Sequence, residues 1–409
     1  MKRLSAACLV LAPLALAIAT GIDPALGDDQ GYGVYRAHPD AILWHSVLLH
    51  WAWVLFVPGL LGLLSLVRDR GVVLARISWI AVTVGLVSFA ALMSFDIFLL
   101  ALEQTLPDDT VARVDTALQA MPLATYGWQI PGLLGWGLSL VLAPIAAARA
   151  GIINWWTAGG ALAGTGLYFA FAIAPVPLCL IGPIVMAISY GFAARSLLRA
   201  PEGTGEVGRA FGRICLYAAP VAFVAGMATV PDHTGDPALS LASPTQTQVS
   251  ALLLHLAWVF FIPAVWTLAS GGGRFTRIAG VLTVIGLAHF SALMIGDSAD
   301  LATRQTLDPE AADAVFEAFG SYPLFNLGWV IPGMALTFLG LTAVTVGAAV
   351  DRIVHWVVPV LTVLGLSGFF VLGLGALGVV GPLLLLAGFV VAARGRRALA
   401  AEVPRVVSV

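Results

Sequence analysis

The residues of this 409-residue chain best suited to chemistry are a few histidines and carboxylates set inside long apolar runs. His50 and His255 share a neighbourhood, each with Trp three residues on (Trp53, Trp258) and Pro eight on (Pro58, Pro263). Asp96 and Asp297 also match, each three residues after a methionine, Met93 or Met294. His289 and Asp300 add two more polar groups in the second part of the chain. They are eleven residues apart, within about 20° of one helical face, with Asp297 between them. His45, Glu103 and His355 complete the set.

Three chemistries fit these types. Neutral imidazole is a common metal ligand and an axial ligand of haem iron, so His50 and His255 are candidates to hold haem b or copper. Met93 and Met294 would then supply thioether ligands to copper. Ionisable groups inside a bilayer also serve proton or substrate handling, and Asp96, Asp297, His289 and Asp300 are the candidates for that role. The third possibility is packing, in which each imidazole bonds a carbonyl of a neighbouring helix. Only one histidine pair recurs, since His45 matches Ser250 and His289 matches Ser88. A four-histidine cytochrome b arrangement therefore has no support from symmetry.

The elements that must hold these residues follow from composition. The chain is 60% hydrophobic and 10% charged, where soluble domains carry about 25% charged residues. No soluble particle of this size hides so much apolar surface. A soluble enzyme, a disordered chain and a disulfide scaffold are excluded, leaving an integral membrane protein whose first partner is the lipid bilayer. The net charge is −2 and Lys2 is the sole lysine, so no field attracts nucleic acid. Cys8, Cys179 and Cys215 lie in apolar runs as small hydrophobes. No phosphate-binding Gly-rich loop follows a strand.

At about 20 residues per crossing, the apolar segments predict helices near 4–21, 43–66, 77–101, 124–148, 152–174 and 176–195. Six more are predicted near 213–230, 249–269, 277–299, 324–349, 353–375 and 377–394. Twelve is the expected count, with ten as the alternative. Sorting charges onto alternate sides leaves only Arg36, Arg113 and Arg304 of the 20 basic residues outside. The positive-inside rule thus puts both termini in the cytoplasm of a plasma (inner) membrane protein. Met1-Lys2-Arg3 and the apolar run behind it also read as a signal peptide, but the duplication below argues for a retained helix.

The stretch from His50 to Pro58 returns from His255 to Pro263, and Arg76 to Asp96 returns as Arg277 to Asp297. Gly127-Trp128 with Ile130-Pro131-Gly132 returns as Gly328-Trp329 with Ile331-Pro332-Gly333. Order, spacing and residue type all recur, as in an internal repeat. The expected fold is an all-α polytopic membrane helix bundle of about 12 transmembrane helices. It divides into two parallel six-helix repeats related by a pseudo-twofold axis along the membrane normal. The repeats are 1–200 and 213–409, joined by a cytoplasmic linker at 201–212. Pro107 to Val114 and Asp308 to Val315 carry helix-start signals and predict a short outer helix in each half.

This plan resembles that of major-facilitator carriers, and Arg68-Asp69-Arg70-Gly71 resembles part of their loop motif. The resemblance covers four residues, is absent at Ser270 to Arg274 and does not assign the family. The expected function is a secondary transporter or permease for a small solute or ion, with its site between the repeats in the outer half of the membrane. The alternative is a haem- or copper-binding redox protein built on His50 and His255. A structural subunit without chemistry of its own is the third reading.

Overall fold

The computed structural model describes residues 1–27, 31–200, 206–231, 236–373 and 377–401. Linker residues 201–205, the outer acids Asp28, Asp29 and Asp232, Arg405 and part of the turn expected from Gly373 to Gly381 lie outside them. The described residues are helical and irregular, without strands. Among the described residues nine helices are long and apolar enough to cross a membrane, which makes this a multi-pass membrane protein. These are α1 (Lys2–Gly21), α2 (Pro39–Leu64), α3 (Val72–Thr105), α5 (Pro122–Arg149), α7 (Leu178–Arg199), α8 (Val207–Thr229), α9 (Pro244–Ser270), α10 (Arg274–Thr306) and α12 (Pro323–Val350).

The shortfall from twelve falls on three shorter helices. α6 (Trp155–Phe171) has 17 residues. Its start is fixed by the Asn154 side chain, which accepts from Thr157 N–H at 2.7 Å, and Pro175 and Pro177 lie just past its end. α13 (Val357–Leu372) and α14 (Val380–Ala401) flank the glycine-rich turn. The two short helices expected after the third and ninth predicted crossings are present as α4 (Asp108–Gln119) and α11 (Pro309–Ser321). Both begin with acidic residues that suit the positive end of a helix, and the Asp308 carboxylate accepts from Ala311 N–H at 2.9 Å.

In the first part of the chain α1 packs on α2 and α7, α3 on α5, and α6 on α7. In the second, α8 packs on α9 and α14, α10 on α12, and α13 on α14. Gly85 and Gly135 let α3 and α5 touch, since a Cβ on Gly85 would lie 2.1 Å from Gly135 Cα. The outer helices cross over: α4 lies against the far end of α10, and α11 against the far end of α3. A hydrophobic cluster including Phe98, Val111, Trp128, Ile295, Val315 and Trp329 binds the two parts at that end.

Four stretches depart from α-geometry. Ala81–Leu86, Thr125–Gln129 and Asn326–Val330 are π-helical, and α10 narrows to a 3-10 turn at Leu293–Ile295. Wide turns of this kind re-aim side chains. Trp128 and Trp329 each sit inside one. Sequence position suggests an aromatic belt at the outer interface for these two, together with Trp53 and Trp258. The structure corrects this: all four are at most 1% exposed, whereas Trp156 is 90% exposed.

Candidate functional site

The three histidines His50, His255 and His289 are fully buried. His50, from α2, has Nε2 3.0 Å from Nδ1 of His289 on α10, so an imidazole from the first part of the chain meets one from the second. Its Nδ1 lies 2.9 Å from the Ala90 carbonyl. Its ring stacks on Trp329, with centroids 3.3 Å apart and planes 14° from parallel. Trp51 meets His289 edge-on at 4.3 Å, and Trp329 Nε1 donates to the His289 carbonyl at 3.3 Å.

Local sequence explains the scaffold. Pro332 has no N–H to give the carbonyl of Gly328, four residues back. Trp51 Nε1 donates to that carbonyl instead, at 2.6 Å. The π-helical turn Asn326–Val330 is thereby tied to α2 at the point where the proline weakened it.

His255 stands in a related setting. Its Nδ1 lies 3.2 Å from the Ser291 carbonyl, its Nε2 2.9 Å from the Ser88 hydroxyl, and its ring 3.9 Å from that of Trp128. Each partner is the sequence counterpart, 201 residues away, of a partner of His50: Ser291 of Ala90, Ser88 of His289, Trp128 of Trp329. His50 and His255 are thus each joined to the other part of the chain, but His50 ends on a second imidazole and His255 on a hydroxyl.

Proton positions follow from these bonds. A carbonyl only accepts, so His50 Nδ1 carries hydrogen. In the neutral ring Nε2 is then a lone pair, and His289 Nδ1–H must be its donor. That leaves His289 Nε2 as a buried lone pair with no hydrogen-bond partner among the described residues. An unfilled buried acceptor costs about 1–3 kcal/mol.

These positions do not suit haem or copper. Both ring nitrogens of His50 and of His255 already have protein partners, so neither has one free to ligate iron. Among the described residues no group of three or more His, Cys, Asp or Glu side chains is arranged to hold a metal. Met93 and Met294 pack against apolar side chains of both core clusters.

Among the described residues no carboxylate bonds His50, His255 or His289. Asp96 takes long hydrogen bonds from the Tyr35 hydroxyl, at 3.5 Å, and the Ser46 hydroxyl, at 3.4 Å. It borders a cavity of about 200 Å³ that also touches Asp115, Gln119 and Gln129. His45 Nε2 lies 3.8 Å from Asp23, and Glu103 accepts from Arg36 N–H at 2.9 Å. Asp297 is exposed on α10. Asp300 is committed to Arg304 at 2.8 Å, which also reaches Asp313 on α11 at 2.9 Å. The 3-10 turn lies between His289 and Asp300 and breaks the helical phase on which their common face was predicted.

Sequence reasoning singled out the three histidines but missed the Trp329 and Trp128 stacks and the His50–His289 bond. The available signal was the pairing of His289 with Ser88 as counterparts, which marks one position as facing opposite imidazoles in two places. Set against known protein families, curated proteins and solved structures, the chain matches none.

Proposed function

We propose that the protein is a proton-coupled secondary transporter. Two six-helix halves, parallel and related by a pseudo-twofold axis along the membrane normal, would part and close around the His50–His289 pair. Both termini would face the cytoplasm, as the distribution of arginines argues. The observation that carries this reading is the 3.0 Å contact between imidazoles from the two parts of the chain, with one basic nitrogen left vacant.

The proton step balances. A proton arriving at His289 Nε2 makes that ring cationic, and His289 Nδ1–H then passes its proton to His50 Nε2. His289 is neutral again as the other tautomer. The charge rests on His50, which donates from both nitrogens, to Ala90 O and to His289 Nδ1. Its face lies on Trp329, where a ring quadrupole stabilises a cation by about 0.5–2 kcal/mol. Burial opposes that charge, so protonation is linked to how closely the halves meet. The 200 Å³ cavity beside Asp96 is the space we assign to the solute, although its lining, from Leu92 to Gln129, belongs wholly to the first part of the chain.

The test is proteoliposomes loaded with a pH-sensitive dye and given gradients of small solutes in turn. His289→Gln keeps a polar side chain of similar reach but does not titrate. Wild type should move protons with at least one solute and His289→Gln with none. Equal responses from both proteins would remove the pair from the mechanism.

A further inference from the structure

Ala150 and Asp351 are sequence counterparts, 201 residues apart, at two corners of similar construction. At the second corner Asp351 Oδ2 accepts from Gly273 N–H at 2.6 Å and from the Thr276 hydroxyl at 2.5 Å. A built-in carboxylate thus closes the positive end of α10. At the first corner α3 starts after Gly71 with no side-chain cap, and Ala150 brings only a methyl group. The space there is an open cavity of about 700 Å³ whose lining includes Arg68, Asp69, Arg70, Ala150, Ser196 and Arg199, with Leu66 and Ile152 as apolar wall.

Among the described residues of this corner cations outnumber acids. Among the described residues no ion pair or hydrogen bond engages the guanidinium of Arg68, Arg70 or Arg199, and Asp69 is the one acid in the lining. Arg199 ends α7 and offsets the negative pole of that helix. Arg68 and Arg70 stand four and six residues past the end of α2, between its negative pole and the positive start of α3. Lys2 adds a further cation, donating to the Ala200 carbonyl at the cavity rim. Nearby in sequence, Val73 (66% exposed) and Leu198 (52% exposed) are apolar surface.

We propose that this cavity binds a phosphoryl anion, a phosphate mono- or diester, in the position that Asp351 fills at the other corner. Arginine forks suit phosphate oxygens because two parallel N–H donors match two oxygens. The same chemistry is offered by an anionic phospholipid headgroup and by a soluble phosphate, and the inference does not depend on proton coupling.

The experiment uses the full-length protein in phosphatidylcholine nanodiscs with and without phosphatidylglycerol, and in detergent with inorganic phosphate. Bound lipid is read by native mass spectrometry, and stability by melting temperature. Arg70→Gln/Arg199→Gln removes two donors from exposed positions. Ala150→Asp supplies a resident carboxylate, as in the other half. Either change should weaken the retained anion about tenfold, or roughly 1.4 kcal/mol. Selective retention of phosphatidylglycerol identifies a lipid source. A melting temperature raised by inorganic phosphate in wild type but not in Ala150→Asp identifies a soluble one. If neither anion is retained or stabilises wild type, or if both variants bind as wild type does, the proposal is overturned.

Discussion

His289 and Ser88 are counterparts in sequence, and this one difference decides which of two similar imidazoles meets a second imidazole. His255 gives its lone pair to the Ser88 hydroxyl and is saturated, while His50 is tied to a second base with an empty nitrogen. Ser88→Ala removes the only donor to His255 Nε2. It should lower unfolding stability by about 1 kcal/mol, between the values typical of soluble and membrane interiors, and leave proton uptake intact. Denaturant titration in detergent with the dye assay on the same sample checks both halves of this statement. Sequence spacing alone exposed these residues, because imidazole is rare in apolar runs and its recurrence is visible. The bond between them was not legible. His50 and His289 are 239 positions apart, and no local rule says which helices cross.

Along the helices, the ends are where charge matters most. The Asp351 carboxyl is held below its ordinary range by the Thr276 hydroxyl, the Gly273 N–H and the nearby Arg277 charge. A depressed carboxylate contributes stability above its unfolded value, and that contribution disappears as pH falls through the folded one. Asp351→Ala should therefore melt lower than wild type at neutral pH. Below about pH 4, where carboxylates protonate, the gap should close. Melting curves across that range are the check, and a gap independent of pH would mean that the charge plays no part. Prolines at 131 and 332 are legible as helix perturbations, but the resulting π-helical turns are not. The missing N–H leaves open whether a helix kinks, widens or recruits a donor from elsewhere. Here Trp51 is that donor at Gly328. The common face predicted for His289 and Asp300 assumes an unbroken α-helix, and the 3-10 turn at Leu293–Ile295 changes the phase between them.

For the molecule as a whole, the two parts of the chain hold each other at one end. Phe98 lies 6.0 Å from the rings of Phe316 and Phe319. The Tyr322 hydroxyl donates to Gln104 at 2.8 Å, and Leu123 N–H to Gln248 at 3.2 Å. Cut within the linker and co-expressed as 1–200 and 201–409, the two polypeptides should co-purify. Phe98→Ala, which deletes a buried aromatic worth about 3–5 kcal/mol in a core, should reduce the recovered partner. Fragments that purify separately would contradict this. Composition made the membrane class legible because so apolar a chain has no soluble solution. The buried tryptophans were misplaced because indole suits both a lipid interface and a packed interior, and only the tertiary arrangement separates them.

The indole of Trp51 has a further consequence. Its counterpart 205 positions on is Leu256, a side chain with nothing to donate. Parting the flank beside Gly328 breaks an indole bond of 2.6 Å, whereas the flank beside Gly127 is held by the 3.2 Å bond from Leu123 to Gln248. Alike in outline, the two seams are fastened by different chemistry.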